Sequence, residues 1–79
     1  MVTVHREAGL HIVIYLEDHE PAHVHVQGDG EAKINLSTAS GEPEIVRSQQ
    51  MSFGELRKAL RIVREQQAFL LACWRDIHG

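Results

Sequence analysis

The sequence predicts an α+β domain: a three- to four-stranded antiparallel sheet with strands within residues 2–47, and one long C-terminal helix over about residues 53–77 packed on one face. Two changes of pattern predict it. Up to Arg47 the chain repeats short runs in which apolar and polar residues alternate with the period of a strand, whereas from Phe53 onward apolar positions recur at spacings of three and four, the period of a helix. Glycine, proline and small polar residues punctuate the first part, and after Gly54 neither glycine nor proline interrupts the second before Gly79.

Val2–His5 alternates weakly, Val2 and Val4 against Thr3 and His5, and reads as an edge strand. After Gly9, L-H-I-V-I-Y-L carries the strongest strand signal, with Leu10, Ile12, Ile14 and Leu16 on one face and His11, Val13 and Tyr15 on the other. Glu17–Ala22 is a loop, because Pro21 keeps Glu20 out of helical geometry. H-V-H-V-Q and E-A-K-I-N-L then alternate around Gly28-Asp29-Gly30, whose residues tolerate positive φ, so 22–27 and 31–36 form a hairpin. Its continuous apolar face needs Val24 and Val26 beside Ala32, Ile34 and Leu36, which turns His23, His25 and Gln27 to the opposite face with Glu31, Lys33 and Asn35. Residues 37–43 are turn formers, and Glu44–Arg47 offers a further short strand.

Ser52-Phe53-Gly54-Glu55 has the form of a reciprocal capping box and starts the helix. Leu56, Ala59, Leu60, Val63, Leu70, Leu71 and Trp74 form its apolar stripe, widened by Ile62, Phe69 and Cys73. A continuous helix of that length is a rod of about 36 Å, longer than a small sheet covers. Its last turns therefore pack on the N-terminal strand or leave apolar surface for another chain. With only one helix, the sheet's other face has no cover of its own.

With 79 residues the chain holds a single domain, residues 1–79, burying about 60–65% of the surface its unfolded chain exposes. Its lone cysteine, Cys73, excludes an internal disulfide and a cysteine-based zinc knuckle, and helical spacing makes it a small buried hydrophobe. Neither a secretory signal nor an apolar run long enough for a membrane span is present, so no membrane partner and a cytoplasmic location are the expectation. Residues 1–50 carry three bases against eight acids, a balance of −5, and residues 51–79 five bases against three acids, +2. Arg57, Lys58, Arg61 and Arg64 gather that positive charge along the helix, where it faces either solvent or the phosphates of a nucleic acid. No aromatic residues interleave them for base stacking.

Chemistry concentrates between Leu16 and Gly30, which holds His19, His23 and His25 with four carboxylates. A His-x-His pair on a strand sets both imidazoles on one face about 7 Å apart, a spacing that chelates a divalent ion such as zinc when a third ligand arrives. His23 and His25 are the candidate pair, and Asp18, His19 or His11 the candidate third ligand. The competing reading is polar-face histidines that bind nothing, with no cofactor at all. As catalytic groups, His23, His25 and His19 are the candidates for acid/base work. H-V-H-V-Q also resembles a fragment of the histidine-triad nucleotide hydrolases, with Gln27 in place of the third histidine, but the chain has no room for the rest of that fold.

Taken together, D-H-E-P-A-H-V-H-V, G-D-G-E-A-K-I-N-L, E-L-R-K-A-L-R-I-V-R-E and L-L-A-C-W resemble the domain of unknown function 4160 family, from about Leu10 to Trp74. The resemblance implies a compact bacterial domain with no established activity. It further implies a small partner protein encoded nearby, of the domain of unknown function 2442 family, in an arrangement like a toxin-antitoxin pair. Residue by residue, it marks Asp18, His19, Pro21, His23 and His25, with Gly28, Asp29, Gly30 and Glu31 forming the turn and its exit. Ala22 replaces a usual proline, Gln66 a frequent helix histidine, and Trp74-Arg75-Asp76-Ile77-His78 a W-H-E-H-F ending, so a site recruiting helix histidines is not expected.

The leading expectation is a non-enzymatic interaction module. It would offer its histidine-bearing face or leftover helix surface to that small partner protein or to another copy of itself. The alternative is a metal- or histidine-dependent enzyme acting on RNA or nucleotides.

Overall fold

The computed structural model describes residues 1–79. Five strands, β1 (Val2–Glu7), β2 (Leu10–Ile14), β3 (His23–Gln27), β4 (Glu31–Asn35) and β5 (Glu44–Gln49), precede two helices, α1 (Phe53–Glu65) and α2 (Gln67–His78). The strands pair in chain order and antiparallel throughout, β1-β2-β3-β4-β5. The α+β class stands, and the strand count rises from the expected three or four to five because both weak runs find partners. β1 folds back on β2 through Ala8 and Gly9, whose φ values of 53° and 80° make the mirror-image turn that suits strand twist.

Register follows alternation at the centre of the sheet. Val24 pairs with Ile34 and Val26 with Ala32 on the apolar face, while His23, His25 and Gln27 lie opposite Asn35, Lys33 and Glu31 on the other. Each outer strand departs from it by one extra residue, Val4 in β1 and Val46 in β5. Leu16, expected on the apolar face, is exposed, because β2 ends at Ile14 and the chain turns away from the sheet there.

Two helices stand where one was expected. The break is at Gln66 (φ −103°, ψ 15°), with no proline or glycine to announce it. It allows Leu70 and Trp74 of α2 to enter the same core as Ala59, Ile62 and Val63 of α1, which a straight rod would carry past the sheet. The Gln67 Nε2 group donates to the Leu36 carbonyl at 2.6 Å and the Gly41 carbonyl at 2.9 Å, tying the break to the β4–β5 connection. At the start of α1, the Ser52 hydroxyl accepts from the Glu55 backbone N–H at 3.1 Å. The return bond of the expected box is absent, since the Glu55 carboxylate packs toward Gly28 instead.

Gly28 and Gly30 also differ from expectation, as neither has positive φ. They are needed for closeness: a Cβ on Gly30 would collide with the Gln49 carbonyl, and one on Gly28 would meet the Leu10 side chain at 2.6 Å.

The opposite face of the sheet is not simply bare. The segment after β2 folds back over part of it, and His23 and His25 retain only 3% and 6% of their surface. Alternation correctly turns these histidines to the face opposite Val24 and Val26, and it is silent about the loop and the Trp74 ring that cover them. No helix is long and apolar enough to cross a membrane.

Candidate metal centre

Asp18, His23 and His25 come together beneath the loop. The loop is shaped by a reciprocal pair of bonds, the Asp18 N–H to the Tyr15 carbonyl at 3.1 Å and the Tyr15 N–H to Asp18 Oδ2 at 3.1 Å. That same Oδ2 lies 3.2 Å from His23 Nε2 and 3.5 Å from His25 Nε2. One ligand atom from each of the three residues falls within 4.8 Å of the others.

The tautomer of His23 is fixed by its surroundings. Its Nδ1 lies 2.8 Å from the Pro21 carbonyl, which can only accept, so Nδ1 carries the proton. In the neutral ring the Nε2 lone pair then faces a carboxylate oxygen, and a proton or a cation between them turns that contact into attraction. Donating the outer ring N–H to a backbone carbonyl is how metal-bound histidines are usually oriented.

His25 is buried with neither ring nitrogen in a hydrogen bond. Its Nδ1 lies 3.3 Å from Glu31 Oε2, its Nε2 faces Asp18, and the Tyr15 ring meets it edge-on with centroids 4.5 Å apart. Burial pulls the His25 pKa below the ordinary histidine value, against the opposing influence of Asp18 and Glu31. The ring therefore favours its neutral form, the form that ligates metals. Glu31 is held from the other side, accepting from the Tyr15 hydroxyl at 3.3 Å and from Gln27 Nε2 at 3.2 Å. Burial and the neighbouring Glu31 push the Tyr15 pKa up, so the phenol stays protonated and available to donate.

A tetrahedral shell with bonds of about 2.0–2.1 Å separates its donor atoms by about 3.3–3.4 Å; the two separations from Asp18 Oδ2, 3.2 and 3.5 Å, are close to this, and all three donor atoms lie within 4.8 Å of one another. Three protein donors leave a position open. On the Asp18 side a cleft lined by Asp18, His19, Glu20, Trp74, Arg75 and His78 reaches the same carboxylate.

Of the expected ligands, His11 and His19 stay outside the triad. His11 is exposed on β2 across from Gln27, and His19 is exposed on the cleft rim. Sequence reasoning treated Trp74 as core only and set helix histidines aside. In the structure Trp74 also packs against His23, with ring centroids 5.1 Å apart, and donates from Nε1 to Glu20 Oε2 at 3.1 Å. His78, one helical turn further on, lies 4.0 Å from the Trp74 ring. The i, i+4 spacing of Trp74 and His78 was the available signal.

Arg57, Lys58, Arg61 and Arg64 share a face of α1 as expected, but their charge is largely engaged. Arg61 pairs with Glu65 at 3.0 Å, Arg64 with Glu42 at 3.1 Å, Lys58 donates to the Ala8 carbonyl at 2.9 Å, and the Arg57 guanidinium lies 5.8 Å over the Phe53 ring. Cys73 is half-buried with its thiol pKa pushed up by burial and by Asp76, which suits a packing role.

A family model described as "Domain of unknown function (DUF4160)" matches residues 9–75. No curated protein and no solved structure matches the chain.

Proposed function

The chain belongs to the DUF4160 family, whose description names no activity, and from the site itself we propose a metal-dependent hydrolytic module for phosphate esters of the RNA or nucleotide class. The observation that carries this reading is the meeting of one Asp18 oxygen with two imidazole Nε2 atoms, one of them committed by its outer bond to Pro21. Two histidines and a carboxylate with a fourth position open form the donor set of hydrolytic zinc centres, where the cation brings the pKa of bound water to about 7. The cleft beside Asp18 is the approach; on its walls Arg75 and the ring N–H groups of His19 and His78 offer donors to an anionic substrate, beside the carboxylate of Glu20. Ferrous iron accepts the same donor set, and elemental analysis tells the two apart.

The purified protein is expected to take up one zinc ion per chain by elemental analysis. Zinc at a hundredfold excess over its Kd should stabilise it by at most about 2.7 kcal/mol in thermal unfolding, and Asp18→Ala should abolish both effects. The zinc-loaded protein should then cleave a mixed-sequence single-stranded RNA or bis(p-nitrophenyl) phosphate. A native protein that retains none of zinc, manganese or ferrous iron removes the reading.

A second reading is favoured by β5. The protein would be a partner-binding module, as in a toxin-antitoxin-like pair. All residues of β5 except Ile45 are exposed, and no strand lies beyond it in the sheet. A strand from a small partner protein or a second copy adds to such an edge through main-chain hydrogen bonds. Light scattering on the chain alone and mixed with a neighbouring gene product tests this, and a monomer that ignores the product ends it.

A further inference from the structure

We propose that Lys33 and Arg47 form a binding site for one phosphomonoester group on the open face of the sheet, at its β5 end. The inference goes beyond the metal reading and stands on a separate observation, the irregular register of β5.

Ile45 pairs with Ile34 on the apolar face, and strict alternation from Ile45 would send Val46 to the open face and Arg47 back toward the core. The extra residue Val46 reverses this and sets Arg47 directly across from Lys33. Two like charges facing each other across a strand pair oppose folding. Neither side chain makes an ion pair or hydrogen bond within the protein, in contrast to Arg61 and Arg64 on α1. Bulges recur where a side chain is re-aimed for a task, and here the outcome is two cationic side chains brought to one groove with no ion pair holding either.

The two cations line a groove with Glu31, Ser48 and Gln49, none of them hydrophobic. The one carboxylate in it, Glu31, is drawn toward Tyr15, Gln27 and His25. Directly opposed residues have Cβ atoms about 4.5–5.5 Å apart, so both heads reach one small ligand. A phosphomonoester carries about −1.5 to −2 at neutral pH, which matches the pair in charge. The Arg47 guanidinium can grip two of its oxygens at once. The groove has no aromatic wall for a base or sugar, so recognition is of the phosphate itself.

Titration of isotope-labelled protein with inorganic phosphate, against chloride at matched ionic strength, tests the site by amide shifts. Saturable shifts centred on Lys33 and Arg47 are expected. Lys33→Gln and Arg47→Gln should each weaken binding about tenfold. In phosphate-free buffer both variants should raise Tm, by about 1–4 °C, because they relieve the repulsion. Shifts confined to α1, variants that bind phosphate as well as the native chain, or variants that lower Tm would overturn the proposal. Zinc uptake is measured separately on Arg47→Gln and should be unchanged, so a native chain without zinc counts against the metal reading and leaves this one standing.

Discussion

Along β3, Val24 and Val26 disappear into the core beneath the helices, while His23 and His25, pointing the other way, disappear beneath Tyr15 and Asp18. Both pairs are almost wholly withdrawn from water, and their physical accounts are opposite. Burial of valine is favourable by itself, at about 25 cal/mol per Å² of apolar surface. Burial of the His25 imidazole, whose ring nitrogens are without a hydrogen bond, is a cost that something else has to offset. One face of the strand is thus explained by folding alone. The other carries polar groups that packing against Tyr15 and Trp74 leaves only partly satisfied.

This contrast can be broken by mutation. The largest effect is expected at Trp74, which belongs to both regions: Trp74→Ala should cost about 3–5 kcal/mol in urea unfolding and also weaken zinc uptake through loss of packing on His23. On the apolar side alone, Ile34→Ala should cost about 2–5 kcal/mol and leave the affinity for zinc within a few fold. His25→Leu should do the reverse, being neutral or stabilising within about 1–2 kcal/mol while eliminating zinc uptake. If His25→Leu destabilises as much as Ile34→Ala, the two faces are alike and the contrast fails.

The smallest expected effect is a pH dependence of the metal-free protein. The His25 pKa is depressed in the folded state, chiefly by burial, so on acidification the unfolded chain takes up that proton first. The stabilising contribution is therefore complete above about pH 6.5, the ordinary histidine value, and is lost as pH falls from there through the lower folded value. Thermal unfolding between neutral and mildly acidic pH should show this slope in the native chain, and His25→Leu should flatten it.

Much of this was legible in the sequence, because the period of a strand is a local property. Val24, Val26, Ala32, Ile34 and Leu36 could share a face in only one register, and that register appears at the centre of the sheet. The weak runs of β1 and β5 were harder to read, since their pairing depends on neighbours rather than on their own pattern. The extra residue at Val46 left no local signature. The break at Gln66 was hidden for a similar reason: it answers to the extent of the sheet, and nothing in the helix itself forbids continuation. At the site, His23 and His25 were legible as a pair and Asp18 as a candidate. The choice of Asp18 over His11 and His19 is made by the two backbone bonds that turn the loop inward.

The three converging residues all lie between positions 18 and 25. Closing so short a span takes little chain entropy, so a chain that binds a cation here when folded would also chelate it weakly when unfolded. The consequence is kinetic. If the proposed site takes a cation, early capture would pin the beginning of β3 against the end of β2, so that metal would raise the folding rate as well as stabilise the folded state. Affinity for the unfolded chain also reduces the net stabilisation that a given metal concentration delivers. Refolding followed by stopped flow with and without zinc would therefore show a larger change in the folding limb than in the unfolding limb.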